Sequence, residues 1–140
     1  MAWLAKYQPQ LLSILRIVVG LLFLEHGMQK LLGFPPMPAA MAHAIPPQMM
    51  PIIMAAGVIE LVGGALVLIG LFTRIAAFIC SGEMAAAYFM GHMARGGIFP
   101  AVNGGDAAIL YCFVFLYLAA AGGGAWSVDR GRAGVAAQTG

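Results

Sequence analysis

The sequence predicts an all-α protein, a transmembrane four-helix bundle, and three observations carry that prediction. Of its 140 residues 62% are hydrophobic and 9% charged, against about 25% charged in an ordinary soluble domain. The apolar residues run in long blocks and do not alternate with polar ones at helix or strand spacing. Four such blocks approach the ~20 residues that a helix needs to cross a hydrocarbon core, and short joints separate them. The same composition excludes a nucleic-acid binder, because seven lysines and arginines are too few to hold a phosphate backbone.

The first span covers residues 11–33, Leu11 to Gly33. It is too long for the apolar part of a signal peptide, and no small-x-small cleavage site precedes a soluble mature part, so it is expected to stay as a helix. A joint from Phe34 to Pro51 follows and holds six of the eight prolines. Proline fixes φ and removes a donor, so this joint is expected to be an ordered surface loop with an interfacial turn at Pro38 to Ala44. The second span is 51–72 and the third 74–92, with Thr73 and Arg74 as the only punctuation at their junction, so the two are antiparallel neighbours. A glycine-rich loop from Arg95 to Gly105 leads to the fourth span, 106–124, and a polar tail from Trp126 to Gly140. No repeat or linker divides the chain, so residues 1–140 are read as one domain.

Lysine and arginine in short flanks set orientation. With the N-terminus inside, Lys6, Arg16, Arg74, Arg130 and Arg132 lie at the inner side, and Lys30 and Arg95 at the outer side. The asymmetry predicts a multi-pass protein with both termini cytoplasmic. Trp3 and Trp126 suit the inner interface.

Cys80 and Cys112 differ in expected depth and belong to no Cys-x-x-Cys pair, so they are read as small core residues. Met37, Met41, His43, Met49 and Met50 cluster in the proline-rich loop, and thioether with imidazole suits copper(I). Methionine is also a common gap filler, and no Met-x-x-Met repeat occurs, so no metal site is assigned.

The informative residues are the ionisable ones inside the spans, each costing about 2.5–3.5 kcal/mol at mid-membrane. Glu60 and Glu83 sit near the middle of the second and third spans. Glu25, His26 and Lys30 occupy the outer half of the first. Asp106 opens the fourth. Helical spacing puts Arg16, Gly20, Phe23, Gly27 and Lys30 on one stripe with His26 at its edge, while Glu25 points away. Ala56, Glu60 and Gly64 stack on the second span, and Ala76, Glu83, Ala86, Ala87 and Met90 on the third. Asp106, Leu110, Phe113 and Tyr117 share a face of the fourth. These faces predict an outer-half polar pocket. Glu60, His26 and Asp106 are its candidate catalytic, proton-handling residues. Arg16, Lys30, Glu83, Asn103 and Tyr117 are its candidate ligand-binding residues. Lys30 is expected to pair with Asp106. Glu60, with no cation expected at its depth, is expected to hold a proton at neutral pH. The competing reading is that such pairs merely lock the helices together.

Taken in order, these residues resemble the DoxX family of small four-helix membrane proteins. The first span carries Arg16, Gly20, Phe23, His26, Gly27 and Lys30 at that family's spacing. The second carries Glu60, Gly63, Gly64 and Gly70, followed by Thr73-Arg74. The fourth opens on Asn103-Gly104-Gly105-Asp106, and the chain continues Gly124-Ala125-Trp126-Ser127-Val128-Asp129, similar to the family's closing Gly-x-x-Ser-x-Asp segment. The resemblance spans roughly residues 11 to 130. Asp106 stands where a glutamate is expected, and Glu25 has no place in the pattern. The resemblance implies a bacterial-type inner-membrane protein, in a family some of whose members are linked to membrane redox work, including quinone-coupled oxidation of sulfur compounds and resistance to oxidative or quinone stress. The expected function is a redox-associated subunit, a component of a quinone-linked oxidoreductase, that binds quinone or a similar lipid-soluble ring in the outer pocket. Its expected partners are membrane lipid, a protein of a membrane redox complex and further copies of itself. The alternatives are a scaffold or assembly subunit and a small permease for protons, metal or a solute.

Overall fold

A bilayer core offers no hydrogen bonds, so a spanning backbone must satisfy its own, and the apolar blocks accordingly fold as helices. The computed structural model of the chain describes residues 2–38 and 45–138. Among the described residues there are helices and no strand. After a helical turn at Ala2–Ala5, α1 runs Gln8–Leu32, α2 Met50–Ile69, α3 Thr73–Ala86, α4 Asp106–Ala121 and α5 Val128–Gln138. α3 does not stop at Ala86 but continues through a π-helical stretch, Ala87–Met93, into a last turn, Ala94–Gly96. By length and composition, α1 and the segment Pro47–Ile69 each suffice to cross a membrane. The apolar α4 is shorter.

The element ends have local causes. α1 starts at Gln8 instead of Leu11 because Pro9 sits in its first turn, where a missing N–H costs nothing. α2 stops at Ile69 instead of Phe72 because Gly70 turns left-handed with φ 74°. Its N–H and that of Leu71 then close on the carbonyl of Leu66, a glycine-terminated helix end. α4 stops at Ala121 instead of Gly124, where Gly122 leaves the helix with φ 87°.

Packing begins with α1 against α2. α1 buries Ser13, Arg16, Val19, Gly20, Phe23 and Gly27, which include four members of the stripe read from its sequence, and the fifth, Lys30, is half-buried. α2 buries Gly57, Glu60, Gly63, Gly64 and Val67. The two run antiparallel at backbone contact. A Cβ on Gly20 would lie 2.7 Å from the amide nitrogen of Leu68, and one on Gly64 2.7 Å from that of Leu24. Gly27 faces Leu61, and Gly57 faces Leu31. Glycine permits this approach, and close packing drives helix association where no hydrophobic effect can.

α3 and α4 form the second close pair, tied by the Ser81 hydroxyl donating to the Cys112 carbonyl at 2.8 Å. The tight turn between α2 and α3 joins the pairs. Rings bridge the α1–α4 seam, with Phe23 4.7 Å from Phe115 and 5.6 Å from Tyr111 between centroids. The core centres on Phe23, Val67, Ala77, Cys80, Phe115 and Leu118. The outer surface is apolar, with Val18, Leu21, Val62, Phe78 and Phe113 exposed. Soluble proteins hide such contiguous surface, and a surface of this kind suits contact with lipid.

Two predicted faces are corrected. Asp106, Leu110, Phe113 and Tyr117 do share a side of α4, but it faces outward, and Ala108, Phe115 and Leu118 face the core. α4 is apolar all round after its first residue, so its pattern does not select the inward side. On α3, Ala76 of the predicted face is buried and Glu83 and Ala87 are half-buried, but Ala86 and Met90 are exposed, while Ala77, Cys80, Met84 and Tyr88 are buried. Packing on α4 selects that side, and the π-helical turns rotate the side chains beyond Ala86 away from α-helical register. The turn expected at Pro38 to Ala44, and Met41 and His43 of the methionine cluster, lie outside the described residues.

Candidate functional site

Lys30 sits in the last turn of α1, and Glu60 lies mid-way along α2. The Lys30 ammonium donates to Glu60 Oε1 at 2.5 Å. The helix register explains the contact: Gly27 lies against Glu60 and Leu61, and Gly57 against Lys30 and Leu31. Side chains on a helix lean toward its N-terminus, so the lysine stem reaches back along α1 to the carboxylate. This corrects two expectations. Lys30 pairs with Glu60 and not with Asp106, which lies exposed in the first turn of α4. Glu60 is not a lone acid. Reckoning depth from Cα position missed the length of the lysine side chain.

Glu60 is only 2% exposed, whereas Lys30 keeps 23% of its surface. Glu60 Oε2 is buried without a hydrogen-bond partner among the described residues, and so is Glu83 Oε2 on α3. Glu83 lies within electrostatic reach of both Glu60 and Lys30. One ammonium cannot neutralise two carboxylates, so the cluster suits one further proton or one hydrogen-bond donor. His26, exposed on α1, lies within electrostatic reach of Glu60. Its ring stands edge-on to that of the half-buried Tyr111 at 6.2 Å, and Tyr111 stacks on Phe115 at 5.9 Å. The α1–α4 seam thus carries an aromatic shelf, with His26 and Tyr111 on its outer side and Phe23 and Phe115 buried within.

The other predicted residues lie elsewhere. Arg16, 1% exposed, sits at the opposite end of the bundle, where α1 begins and α2 ends. Its Nε donates to the Gly123 carbonyl at 2.8 Å, Nη1 to those of Val67 at 2.6 Å and Leu68, and Nη2 to that of Trp126 at 2.6 Å. Two of these acceptors are in the last turn of α2, where the helix dipole favours a cation. Through these four bonds the guanidinium joins α1, α2 and the segment after α4. Asn103 folds the loop before α4, with Nδ2 donating to Gly97 at 2.7 Å and Oδ1 accepting from the Gly105 amide at 2.8 Å. Tyr117 is exposed beside a cleft at the Arg16 end. The structure therefore gathers Lys30, Glu60, Glu83 and His26, and leaves Arg16, Asn103, Asp106 and Tyr117 outside that group.

Two residues have roles that the sequence reading did not assign, Asp129 having been noted there only as part of the closing Gly-x-x-Ser-x-Asp segment. Tyr111 joins the shelf, and its only sequence signal is an aromatic four residues before Phe115. Asp129, at the start of α5, caps the first turn of α3. Its Oδ1 accepts from the Phe72 amide, and its Oδ2 from the Thr73 amide and hydroxyl, all at 2.8 Å. Partial burial opposes the charge on Asp129. The bonds from Thr73 and Phe72 outweigh it and hold the carboxyl below the usual carboxylate range. No local pattern marks a cap supplied from so far along the chain.

The family model described as DoxX matches residues 11–93. A protein of Haemophilus influenzae, described as uncharacterized, is 48% identical over 129 residues, which cover 91% of this chain and 94% of that relative. No solved structure matches the chain.

Proposed function

We propose a function for this chain, which belongs to the DoxX family of membrane proteins: it binds a quinone or similar lipid-soluble ring beside Glu60 and handles protons at the ring oxygens, as a redox-associated subunit of a bacterial inner membrane with both termini cytoplasmic. One observation carries the reading. The part-buried Lys30–Glu60 pair leaves Glu60 Oε2 buried without a partner among the described residues, and Glu83 Oε2 is in the same condition. A buried acceptor left unsatisfied costs about 1–3 kcal/mol. A hydroxyl donor placed there removes that cost, and the Lys30 ammonium suits a ring carbonyl.

His26 and Tyr111, the accessible members of the aromatic shelf, supply faces for a ring on its outer side. In this reading Lys30 orients the ligand, and Glu60 and Glu83 accept and return protons at its oxygens, the work of positioned carboxylates. The bound ring supplies two-electron, two-proton chemistry, and its electrons come from a protein partner in a membrane redox complex. The chemical nature of the cluster favours this over a helix lock alone, because a lock needs one acid for one lysine.

The test is the quinone content of protein purified in mild detergent and reloaded with a short-chain ubiquinone, read by extraction and chromatography. Wild type should retain about one ring per chain, while Glu60→Gln and Glu83→Gln should retain roughly tenfold less with near-native melting temperatures. Equal retention by all three proteins would sink the proposal and return the cluster to a structural or permease role.

A further inference from the structure

A second feature lies at the Arg16 end, remote from Glu60. An open cleft of about 800 Å³ runs between the start of α1, the α2–α3 turn and the end of α4. A neighbouring hollow of about 440 Å³ shares Gln8, Leu12 and Tyr117 with it and continues along α1 past Leu11 and Leu15. Together they form one groove that is apolar along its length and polar at one end.

The polar end is cationic. Arg74 and Arg130 line it, and Arg132 stands close by, its guanidinium 5.6 Å from the Phe72 ring centroid. Arg74 is held in place by Nη1, which donates to the carbonyls of Ala119 and Ala120 at the end of α4. Nη1 is the only part of its fork engaged among the described residues. The one acid in the cleft, Asp129, is held by the α3 cap, and its single charge offsets only one of the three arginines, so this end stays cationic. The long side of the groove passes Leu11, Leu15 and Ile75, all exposed on the apolar outer surface, so it opens sideways to lipid. Exposed Trp126 marks this end as interfacial.

The geometry points to a binding site for one anionic phospholipid. Its phosphate lies between Arg74 and Arg130, and an acyl chain lies along Leu12, Leu15 and Tyr117. Arginine suits phosphate through its planar fork, and an anionic headgroup at the membrane surface is drawn to such clusters. A free phosphate would use the arginines but leave the apolar groove empty, so the groove selects the lipid. This site does not depend on the ring site.

Native mass spectrometry of the full chain in detergent tests it, with phosphatidylglycerol and phosphatidylcholine titrated separately. Wild type should hold one phosphatidylglycerol with roughly tenfold preference over phosphatidylcholine. Arg130→Gln should reduce the preference, and Leu15→Trp, which narrows the groove, should reduce the binding of both lipids. Leu15→Trp touches neither the arginines nor the helix ends, so its melting temperature should stay near wild type. An excess of inorganic phosphate should not displace the lipid. Equal retention of both lipids, displacement by phosphate, or binding unchanged in both variants would each overturn the assignment.

Discussion

Lys30 and Glu60 are unequal partners, and the inequality predicts unequal costs. Removing the lysine strands a carboxyl that is 2% exposed, whereas removing the acid leaves an ammonium on a side chain that keeps 23% of its surface. A freed lysine near a helix end can extend its stem toward water. Lys30→Met should therefore cost about 3 kcal/mol, the low end for a broken buried pair because the stranded acid can take up a proton. Glu60→Gln should cost about 1 kcal/mol. The double variant should be no less stable than Lys30→Met alone, a coupling readable in detergent unfolding curves. Lys30→Met and Asp106→Asn should simply add, as unlinked sites do. Additive costs for Lys30 and Glu60 would remove the pair from the account. Arg16 makes the contrasting case, an arginine whose hydrogen bonds run to backbone carbonyls and whose place in the site stripe came only from helical spacing.

At the scale of elements, α3 takes its N-terminal cap from the far end of the chain. Phe72, just before it, has φ 49°, and Asp129 satisfies the first two amides. Losing such a cap costs about 0.5–2 kcal/mol, so Asp129→Ala should lower stability by about 1 kcal/mol and loosen α5. The carboxyl is held below its usual range, so its folded pKa lies under its unfolded one. Its contribution is complete above the unfolded value and is lost as pH falls through the folded value. Wild type should accordingly lose stability between about pH 5 and pH 2. Asp129→Asn keeps a capping oxygen but cannot titrate, so it should lose less over that window. A thermal melt of both proteins at several pH values checks this, and parallel losses would place the acid sensitivity elsewhere.

At the scale of the whole molecule, five cations lie at or near the end where α1 starts and α4 finishes, and two at the other. This asymmetry predicts the orientation with both termini inside. In a background with Cys80 and Cys112 replaced, a cysteine at Val102, which is 79% exposed in the loop before α4, should react with an impermeant maleimide on intact cells. One at the exposed Ala133 should react only after permeabilisation. The reverse labelling would invert the protein and put the proposed phospholipid site in the outer leaflet.

The sequence by itself determined the all-helical class, the approximate positions of the long helices and most of the buried stripes of α1 and α2. Long apolar blocks admit only helices in a bilayer, and glycine at helical spacing marks where two of them touch. It also singled out Lys30, Glu60, Glu83 and His26, because ionisable groups inside apolar blocks stand out. Only the tertiary structure decided which of them meet. The Lys30–Glu60 pair depends on the antiparallel register of α1 and α2 and on the direction in which a lysine leans, neither of which a count of residues contains. The inward side of α4 was likewise illegible, since a helix apolar all round acquires a core face only when a neighbour packs on it. Asp129 on α3 and Arg16 on the chain after α4 join residues far apart in sequence, and the fold alone brings such partners together.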